Sequence, residues 1–423
     1  MVYNGNMKRR VVIVGAGFTG MAAALELLDH GAEVTVIEAG ATAGGLAGGF
    51  KQKEWKWPVE SFYHHIFTND QEAFSIAKRV EVKLMVKSVA TDARSEGSVD
   101  RLDTPISLLK YRKMTLVGRV WMGVGLMLLK VSPMWTYRWY EKTTITKTLP
   151  MMVGKEGYTK VWEPLMKAKF GKFLSQVNLA WFWARVKKRT KSLAYPEGGF
   201  VVMAEKMVEE IKRKGGKVVF ETKVKSVKRA GAVWLVETEK EKIEAEMVLL
   251  TVPGPIAAKL VGAKERKLGY LWGQTLVLEL KRSLMKSYWL NILEKDWPFL
   301  VAVEHDQLVG KDKYGGRAVV YLGNYLEDGD KRLELNEKKL LELYLPYIKK
   351  INPMFGKSWI VSLHKRQSPF AQPVFGVNYS KKIGKTKIDD GLWMANMAMV
   401  YPWDRGINYA LEMGRKVASQ MLR

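Results

Sequence analysis

Residues Arg9 to Gly49 read RRVVIVGAGFTGMAAALELLDHGAEVTVIEAGATAGGLAGG. Val11 to Val14 is a short apolar, β-branched run and predicts a buried strand. It stops at Gly15-Ala16-Gly17-Phe18-Thr19-Gly20, after which an apolar pattern running to His30 predicts a helix closed by Gly31. His30 falls in its last turn, where a donor side chain suits the exposed carbonyls. A second strand, Val34 to Ile37, ends at Glu38.

This order of strand, glycine turn, helix, strand and acid is what a dinucleotide requires. Gly15 permits the tight turn, Gly17 brings the backbone within reach of a pyrophosphate, and Gly20 lets the helix pack close to the strand. The helix N-terminus offers free N–H groups and about half a positive charge. Glu38 is placed to accept hydrogen bonds from a ribose diol. A glycine turn alone is weak evidence; here two strands, a helix and an acid stand in register with it.

A second glycine-rich segment, Ala39-Gly40-Ala41-Thr42-Ala43-Gly44-Gly45-Leu46-Ala47-Gly48-Gly49, follows at once. A nicotinamide fold does not need it. The segment resembles the one after the ribose-binding Glu in the flavin amine oxidase superfamily, which includes protoporphyrinogen oxidases, phytoene desaturases and, more distantly, UDP-galactopyranose mutases. That resemblance implies FAD as the cofactor, with Ala39, Gly44, Gly45 and Leu46 joining Gly15, Gly17, Gly20 and Glu38 around it. Amine oxidases usually carry arginines about the GG pair, where this chain has Thr42 and Leu46. The resemblance is therefore to the superfamily rather than to its amine-oxidising members.

Two later stretches carry the same resemblance. Tyr195-Pro196-Glu197-Gly198-Gly199-Phe200 resembles the YPxGG turn of phytoene desaturases, which leads into a helix, here Val201 to Lys214. Beyond it Val224 and its backbone are implied to clamp the adenine. Near the C-terminus a strand from Gly391 to Asn396, a loop through Tyr401-Pro402-Trp403-Asp404-Arg405-Gly406 and a helix from Tyr409 to Met421 resemble the closing elements of these flavin sites. The implied cofactor contacts are Asn396, Arg405, Gly406, Ile407 and Asn408. The helix N-terminus would face the flavin edge where charge gathers on reduction.

Between these motifs the reading is less specific. Glu60-Ser61-Phe62-Tyr63-His64-His65-Ile66-Phe67-Thr68-Asn69-Asp70 holds two histidines where such chains cross near the isoalloxazine ring, and His65 to Asn69 resembles a flavin-adjacent segment of UDP-galactopyranose mutases. His64 and His65 are the candidate general bases, with imidazoles that ordinarily titrate near neutrality; a structural histidine is the alternative for each. Thr68 to Asp70 looks like a helix cap. From Gln71 to Arg189 the periodicity is mainly helical, and the aromatic cluster about Trp183 with Arg185 is a candidate substrate contact as well as a candidate core. Strands are expected at Thr275 to Lys281, Tyr288 to Leu293, Phe299 to His305, Ala318 to Asn324 and Trp359 to His364, forming a sheet that floors a substrate cavity with His305 and Arg366 at strand ends.

The expected fold class is α/β: a Rossmann-like FAD-binding domain from discontinuous segments (residues 1–66, 195–262 and 384–423) with a mixed α+β substrate domain. Its helical part is expected at 67–194 and its antiparallel sheet at 263–383. The lead-in Met1 to Lys8 lacks the apolar core of a signal peptide. With no cysteine in 423 residues, disulfides, thiolate catalysis and cysteine–metal sites are excluded; no metal is expected, and a cytoplasmic setting fits.

A formal charge of +26 reads either as a generally basic solvated surface or as favouring an acidic partner: anionic lipid, a phosphorylated substrate or nucleic acid. Scattered charge and the absence of a recognisable nucleic-acid motif argue against the last. Leu108 to Trp135 mixes basic residues with Trp, Met and Leu; its apolar run from Val120 to Leu129 falls short of the ~20 residues needed to span a bilayer. That stretch reads either as an interfacial helix, each nearby Lys or Arg contributing roughly 1 kcal/mol on an anionic surface, or as a buried helix of the substrate lobe.

The resemblance implies an FAD-dependent oxidoreductase that takes hydride from a substrate C–H bond to flavin N5 and is reoxidised by oxygen or a quinone. No second GxGxxG follows a strand, which argues against a dedicated NAD(P)H domain. A mutase-like isomerase using reduced flavin without net redox is one alternative, and a non-catalytic lipid or prenyl-protein binder on the same fold another. Intact phosphate-turn glycines argue against the binder. The partner is a small molecule: a lipid, isoprenoid, amine, porphyrin or phosphorylated sugar.

Overall fold

In the computed structural model, which describes residues 9–423, the opening strand is Arg10–Val14 and the opening helix Phe18–Asp29. The lead-in Met1 to Lys8 lies outside the described residues. Six strands form the first sheet, in the order Lys217–Val219, Glu33–Ile37, Arg10–Val14, Met247–Leu250, Leu392–Met394 and Lys387–Asp389. The first five are parallel and the edge strand is antiparallel. Strands from three distant parts of the chain thus share one sheet. Their near-continuous Val, Ile and Leu runs are those of strands covered on both faces.

The opening helix is buried from Met21 to Leu25 and again at Leu27. A Cβ on Gly20 would sit 2.1 Å from the Gly15 carbonyl oxygen, so the helix can approach the turn only with glycine there. At the far end His30 Nδ1 donates to the Glu26 carbonyl at 2.9 Å. The closing helix, Ile407–Met421, runs parallel to it: a Cβ on Gly414 would meet the Thr19 carbonyl oxygen at 2.1 Å, and Ser419 Oγ bonds Glu26 Oε1 at 3.0 Å.

A second, seven-stranded sheet carries Ile360–Pro373, Tyr270–Leu280, Ala318–Leu326, Val301–Glu304, Trp289–Ile292, Thr91–Ser95 and Ser98–Arg101 in that order. Its residues alternate by face, as the two-residue period of a strand demands. Leu276, Leu278 and Leu280 pack with Leu340, Tyr344 and Ile348 of the helix Glu337–Ile351. Val277, Val301, Val303, Val319 and Tyr321 face the other way, into the core shared with the first sheet. The strands beginning at 270 and 360 are longer than expected from sequence, reaching Tyr270 and Pro373.

The span from Gln71 to Arg189 departs from the helical expectation. Leu84–Ser88 pairs with Ser192–Pro196, and Thr91–Ser95 and Ser98–Arg101 form a hairpin added to the edge of the second sheet. Glu96 and Gly97 turn that hairpin with φ of 48° and 77°, the left-handed pair a two-residue turn requires. Nor does Asp70 cap the helix Gln71–Arg79. Its Oδ2 accepts from the Phe67 N–H at 2.8 Å, while Asn408 Oδ1, from the closing helix, accepts from Ala73 N at 3.1 Å.

The stretch with two readings resolves as a surface helix, Leu116–Val131, followed by a short helical stretch to Tyr140. Only Met122, Gly125 and Leu129 are buried, one stripe at helical spacing. Gly125 seats that stripe: a Cβ there would lie 2.0 Å from the Met152 carbonyl oxygen.

Candidate active site

The two glycine segments meet at the carboxyl ends of the parallel strands, where open α/β sheets bind ligands. Gly17 and Gly44 form an isolated bridge, and Gly44 N donates to the Ala16 carbonyl at 2.9 Å. Thr251, at the end of the neighbouring strand, donates its hydroxyl to the Val14 and Gly15 carbonyls at 2.9 and 3.1 Å and braces the turn. Glu38 is held by two backbone donors, Ala16 N and Gly40 N, each at 2.8 Å, which leaves the other lone pairs of both oxygens free for a diol. Glu221 N and Thr222 N bond the carbonyls of Gly40 and Glu38 at 3.0 Å, bringing the start of the strand Val224–Ala230 beside that acid.

These residues fit a bound dinucleotide. Gly17 has ordinary extended angles, φ −73° and ψ 172°, and a Cβ on it would meet no atom within 4 Å. The protein itself thus leaves the space above the turn empty. Ala39 and Gly45 are exposed, and Leu46 is half-buried in the 3₁₀ turn Gly45–Ala47. Val224 points its side chain into the core beside Val14 and Ile37, leaving its backbone as the part able to meet a ligand.

Gly48 accepts from Ser61 N at 2.9 Å and so carries the chain from the cradle to Phe62, Tyr63, His64 and His65. This segment lies on the second sheet, where Thr275 Oγ1 donates to the Ser61 carbonyl at 2.7 Å. Gly273 and Gly323 make room for it: a Cβ on either would come within 3.1 Å of Phe62 or 2.6 Å of Tyr63. Glu60, fully buried, anchors the turn before it by accepting from Tyr195 Oη (2.9 and 3.0 Å) and Phe200 N (2.8 Å). Burial pushes its carboxyl up to about 7 against those three hydrogen bonds.

His64 and His65 are enclosed by protein yet keep accessible surface, so they line an internal space. His64 Nδ1 sits 2.6 Å from the Phe62 carbonyl, which can only accept; the proton is on Nδ1 and the free lone pair on Nε2. Burial brings His64 down to about 4 and His65 to about 3. The expectation that they titrate near neutrality is corrected: both rings are neutral there, and weak bases.

The closing loop brings a cluster of charge to the same space. Asp404 Oδ2 pairs with Arg185, and Oδ1 accepts from Trp181 Nε1 at 2.9 Å. Arg405 Nε donates to Gln372 Oε1 at 3.1 Å, and its guanidinium lies 5.0 Å from the Tyr325 ring centre. Lys169 faces the same ring at 4.5 Å and Trp181 at 5.0 Å; burial, then Arg185, holds its amine well below the usual lysine range. Nothing local in the sequence singles it out among 69 lysines and arginines.

Beside this cluster Gly406 is exposed at the start of the closing helix, with Ile407 and Asn408 buried behind it. Asn408 Oδ1 accepts from Ala73 N at 3.1 Å, which ties the closing helix to the helix Gln71–Arg79 and leaves the amide N–H donors of Asn408 uncommitted. Asn396 Oδ1 caps the following turn through Ala398 N at 3.1 Å.

Of the expected substrate contacts, Arg185 lines a cavity. That cavity, about 700 Å³, is lined by His65, Tyr288, Trp289, Arg189 and Lys191 among others. Trp183 is fully buried, donates Nε1 to Ser132 Oγ at 2.7 Å and stacks on Trp403 at 5.7 Å and 15°. It supports the loop from behind. Arg366 lies over the Phe50 ring at 4.3 Å.

His305 is fully buried among Tyr195, Tyr314 and Tyr321, with both ring nitrogens unpartnered. Burial lowers it to about 3 from 6.5, so below pH 6.5 the unfolded chain takes up a proton that the folded one refuses. Stability is lost as pH falls through that window. His305→Phe should therefore gain on the wild type by about 1.4 kcal/mol per pH unit below 6.5. Unfolding at pH 7.5 and pH 5 checks this, since Glu60, Glu304 and Asp306, raised to about 7, 7 and 6, titrate alike in both proteins. An unchanged difference at the two pH values would refute it.

The profile of the family described as "Flavin containing amine oxidoreductase" matches residues 18–422. Zeta-carotene desaturase of Capsicum annuum is 36% identical over 99 residues, 23% of this chain and 17% of the desaturase. The chain thus matches less than a fifth of the length of that relative. Among solved structures, an Exiguobacterium protein provisionally named a protoporphyrinogen oxidase superposes with a TM-score of 0.78 at 16% identity, covering 99% of both chains. Reduced UDP-galactopyranose mutase gives 0.77 at 14%, covering 98% of this chain and 96% of the other. At those identities the likeness establishes the fold. With the family profile matched over nearly the whole chain, the protein belongs to the flavin-containing amine oxidoreductases.

Proposed function

We propose that the protein holds FAD across the cradle described above and oxidises a C–H bond of an apolar substrate bearing an anionic group. The observation that carries the reading is the offset of two helix N-termini. Gly414 lies level with Thr19, and the closing helix begins seven residues earlier at Ile407, so its N-terminus projects about 9 Å beyond that of the opening helix. One N-terminus suits the pyrophosphate and the other the far, ring end of an extended dinucleotide.

When bound, the cofactor would supply flavin N5 as hydride acceptor, with oxygen or a quinone as the final oxidant. The chain's part is binding and polarity. Glu38 takes the ribose, the Gly17 turn the phosphates, and the backbone at Val224 the adenine. Lys169, Arg185 and Arg405 outnumber Asp404 at the ring end and favour negative charge there. His65, Tyr288 and Trp289 give the substrate an aromatic seat in a cavity that Asp100 and Asp103 also line, and Arg189, which forms no ion pair among the described residues, meets its anionic group.

An isomerase using reduced flavin has one supporting observation, the cationic cavity wall beside the His65 to Asn69 run. An anaerobic screen of isoprenoid, amine, porphyrin and nucleotide-sugar substrates tests both readings. The expected result is bleaching of the oxidised flavin band, with one acceptor consumed per product once turnover resumes. Conversion after a single reduction, with no acceptor consumed, would give the isomerase; a colourless purified protein would remove both.

A further inference from the structure

We propose that the helix Leu116–Val131 and its flanks form a docking face for an anionic lipid bilayer, and that the path to the substrate cavity opens at this face. The bilayer contact stands apart from the reaction proposed above, whereas the path rests on that reading of the cavity beside His65. Val117, Trp121, Val124, Met127, Leu128 and Val131 all point outward, with Trp121, Met127 and Val131 at 55, 66 and 63% exposure. Ile106, Leu109, Met134, Trp135, Trp139 and Met151 extend the surface on both sides. An apolar patch of this extent on one side of a chain marks a contact surface.

Charge says what covers it. Lys110, Arg112, Lys130, Arg138, Lys142 and Lys147 stand exposed around the patch. Between residues 104 and 162 the only carboxylates are Glu141 and Glu156. Glu141 is buried against Ser380, and Glu156 is taken by Thr115 and Lys160. An apolar centre with tryptophans and an unopposed basic rim is complementary to acyl chains beneath anionic headgroups. A protein partner would need matching acids and would leave the tryptophans no interfacial role.

The geometry fits lying in the interface and not crossing it. No single helix among the described residues is long and apolar enough to span, and Leu116–Val131 meets Met134–Tyr140 at 109°. The chain therefore turns across the face where a span would continue. A cavity of about 960 Å³ opens at this face, lined by Met127, Val131 and Met134 together with Lys188, Arg189 and Trp403. Arg189 and Lys191 are shared with the cavity that holds His65. An apolar substrate could thus pass from the bilayer toward the site, its anionic group led by Arg189 and Lys191.

Vesicle co-sedimentation of the purified full-length holoprotein tests the proposal. Phosphatidylcholine vesicles with a one-third share of phosphatidylglycerol should bind it, pure phosphatidylcholine far less, and rising salt should release it. The triple variant Trp121→Glu/Met127→Glu/Val131→Glu should bind more than tenfold more weakly while its melting curve and flavin content stay unchanged. Lys225→Glu/Lys228→Glu, a remote change of similar charge, should retain binding to within a factor of about three. Equal loss in the remote variant would reduce the effect to net charge and overturn the assignment of the face. So would failure to bind anionic vesicles, or light scattering that finds the face closed in a stable dimer.

Discussion

Gly17→Val is expected to yield a normally folded protein that cannot keep its flavin, with affinity reduced by more than a hundredfold. The backbone at Gly17 is extended, at angles any residue adopts, and a Cβ there enters empty space. The apoprotein should therefore unfold within about 0.5 kcal/mol of the wild type. The cost falls on the ligand, because the branched side chain occupies the space a pyrophosphate needs against the turn. Gly20→Ala makes the contrast. Its Cβ would lie 2.1 Å from the Gly15 carbonyl, so strand and helix must separate, at a cost of about 1–3 kcal/mol or more whether or not cofactor is present. Flavin absorbance per chain and apoprotein melting, measured on both variants, separate the two roles. A Gly17→Val protein that purifies yellow and fully loaded would remove the cradle from the argument.

The two glycines also mark what was legible in the sequence. A turn that needs glycine for close approach advertises it within a few residues, so the cradle, Glu38 and the closing helix could be placed from local pattern. The hairpin Thr91–Arg101 had such a signal in Glu96-Gly97, but its strands alternate charged residues with small ones and lack the apolar weight of a buried strand. The surface helix was ambiguous for a different reason. Its composition suits a core as well as a lipid face, and only the burial of Met122, Gly125 and Leu129 decides which side is inward.

His305 ends an apolar run as a ligand-binding residue would; that three tyrosines close over it is a tertiary fact. The same holds for Lys169 and for the pair Arg185 and Asp404, partners 219 positions apart. Long-range charge pairing leaves no periodicity to detect.

That pair carries the second large effect. Asp404→Ala is expected to destabilise the protein by about 3 kcal/mol and to lower flavin retention with it. Burial works to raise the Asp404 carboxyl, but Arg185 and Lys169 outweigh it and hold the group below its ordinary range. Its removal leaves Lys169, Arg185 and Arg405 facing one another with no carboxylate among them, and strands the Trp181 indole N–H. The lower end of the range for a broken buried pair applies, because the Arg185 side chain remains 44% exposed and water screens part of the repulsion.

Two further variants separate charge from packing. Asp404→Asn offers the indole an acceptor but no charge, and should recover about 1 kcal/mol. Adding Arg185→Ala to Asp404→Ala removes one stranded cation and should restore part of the stability, so that the two losses are not additive. In the wild type the contribution is present above the unfolded value of 3.8 and disappears as pH falls through the lower folded value, so the alanine variant and the wild type should converge in acid. Additive losses, or a gap that does not narrow as pH falls below 3.8, would mean that the loop is held by packing of Trp403 on Trp183 and Tyr409 instead of by charge.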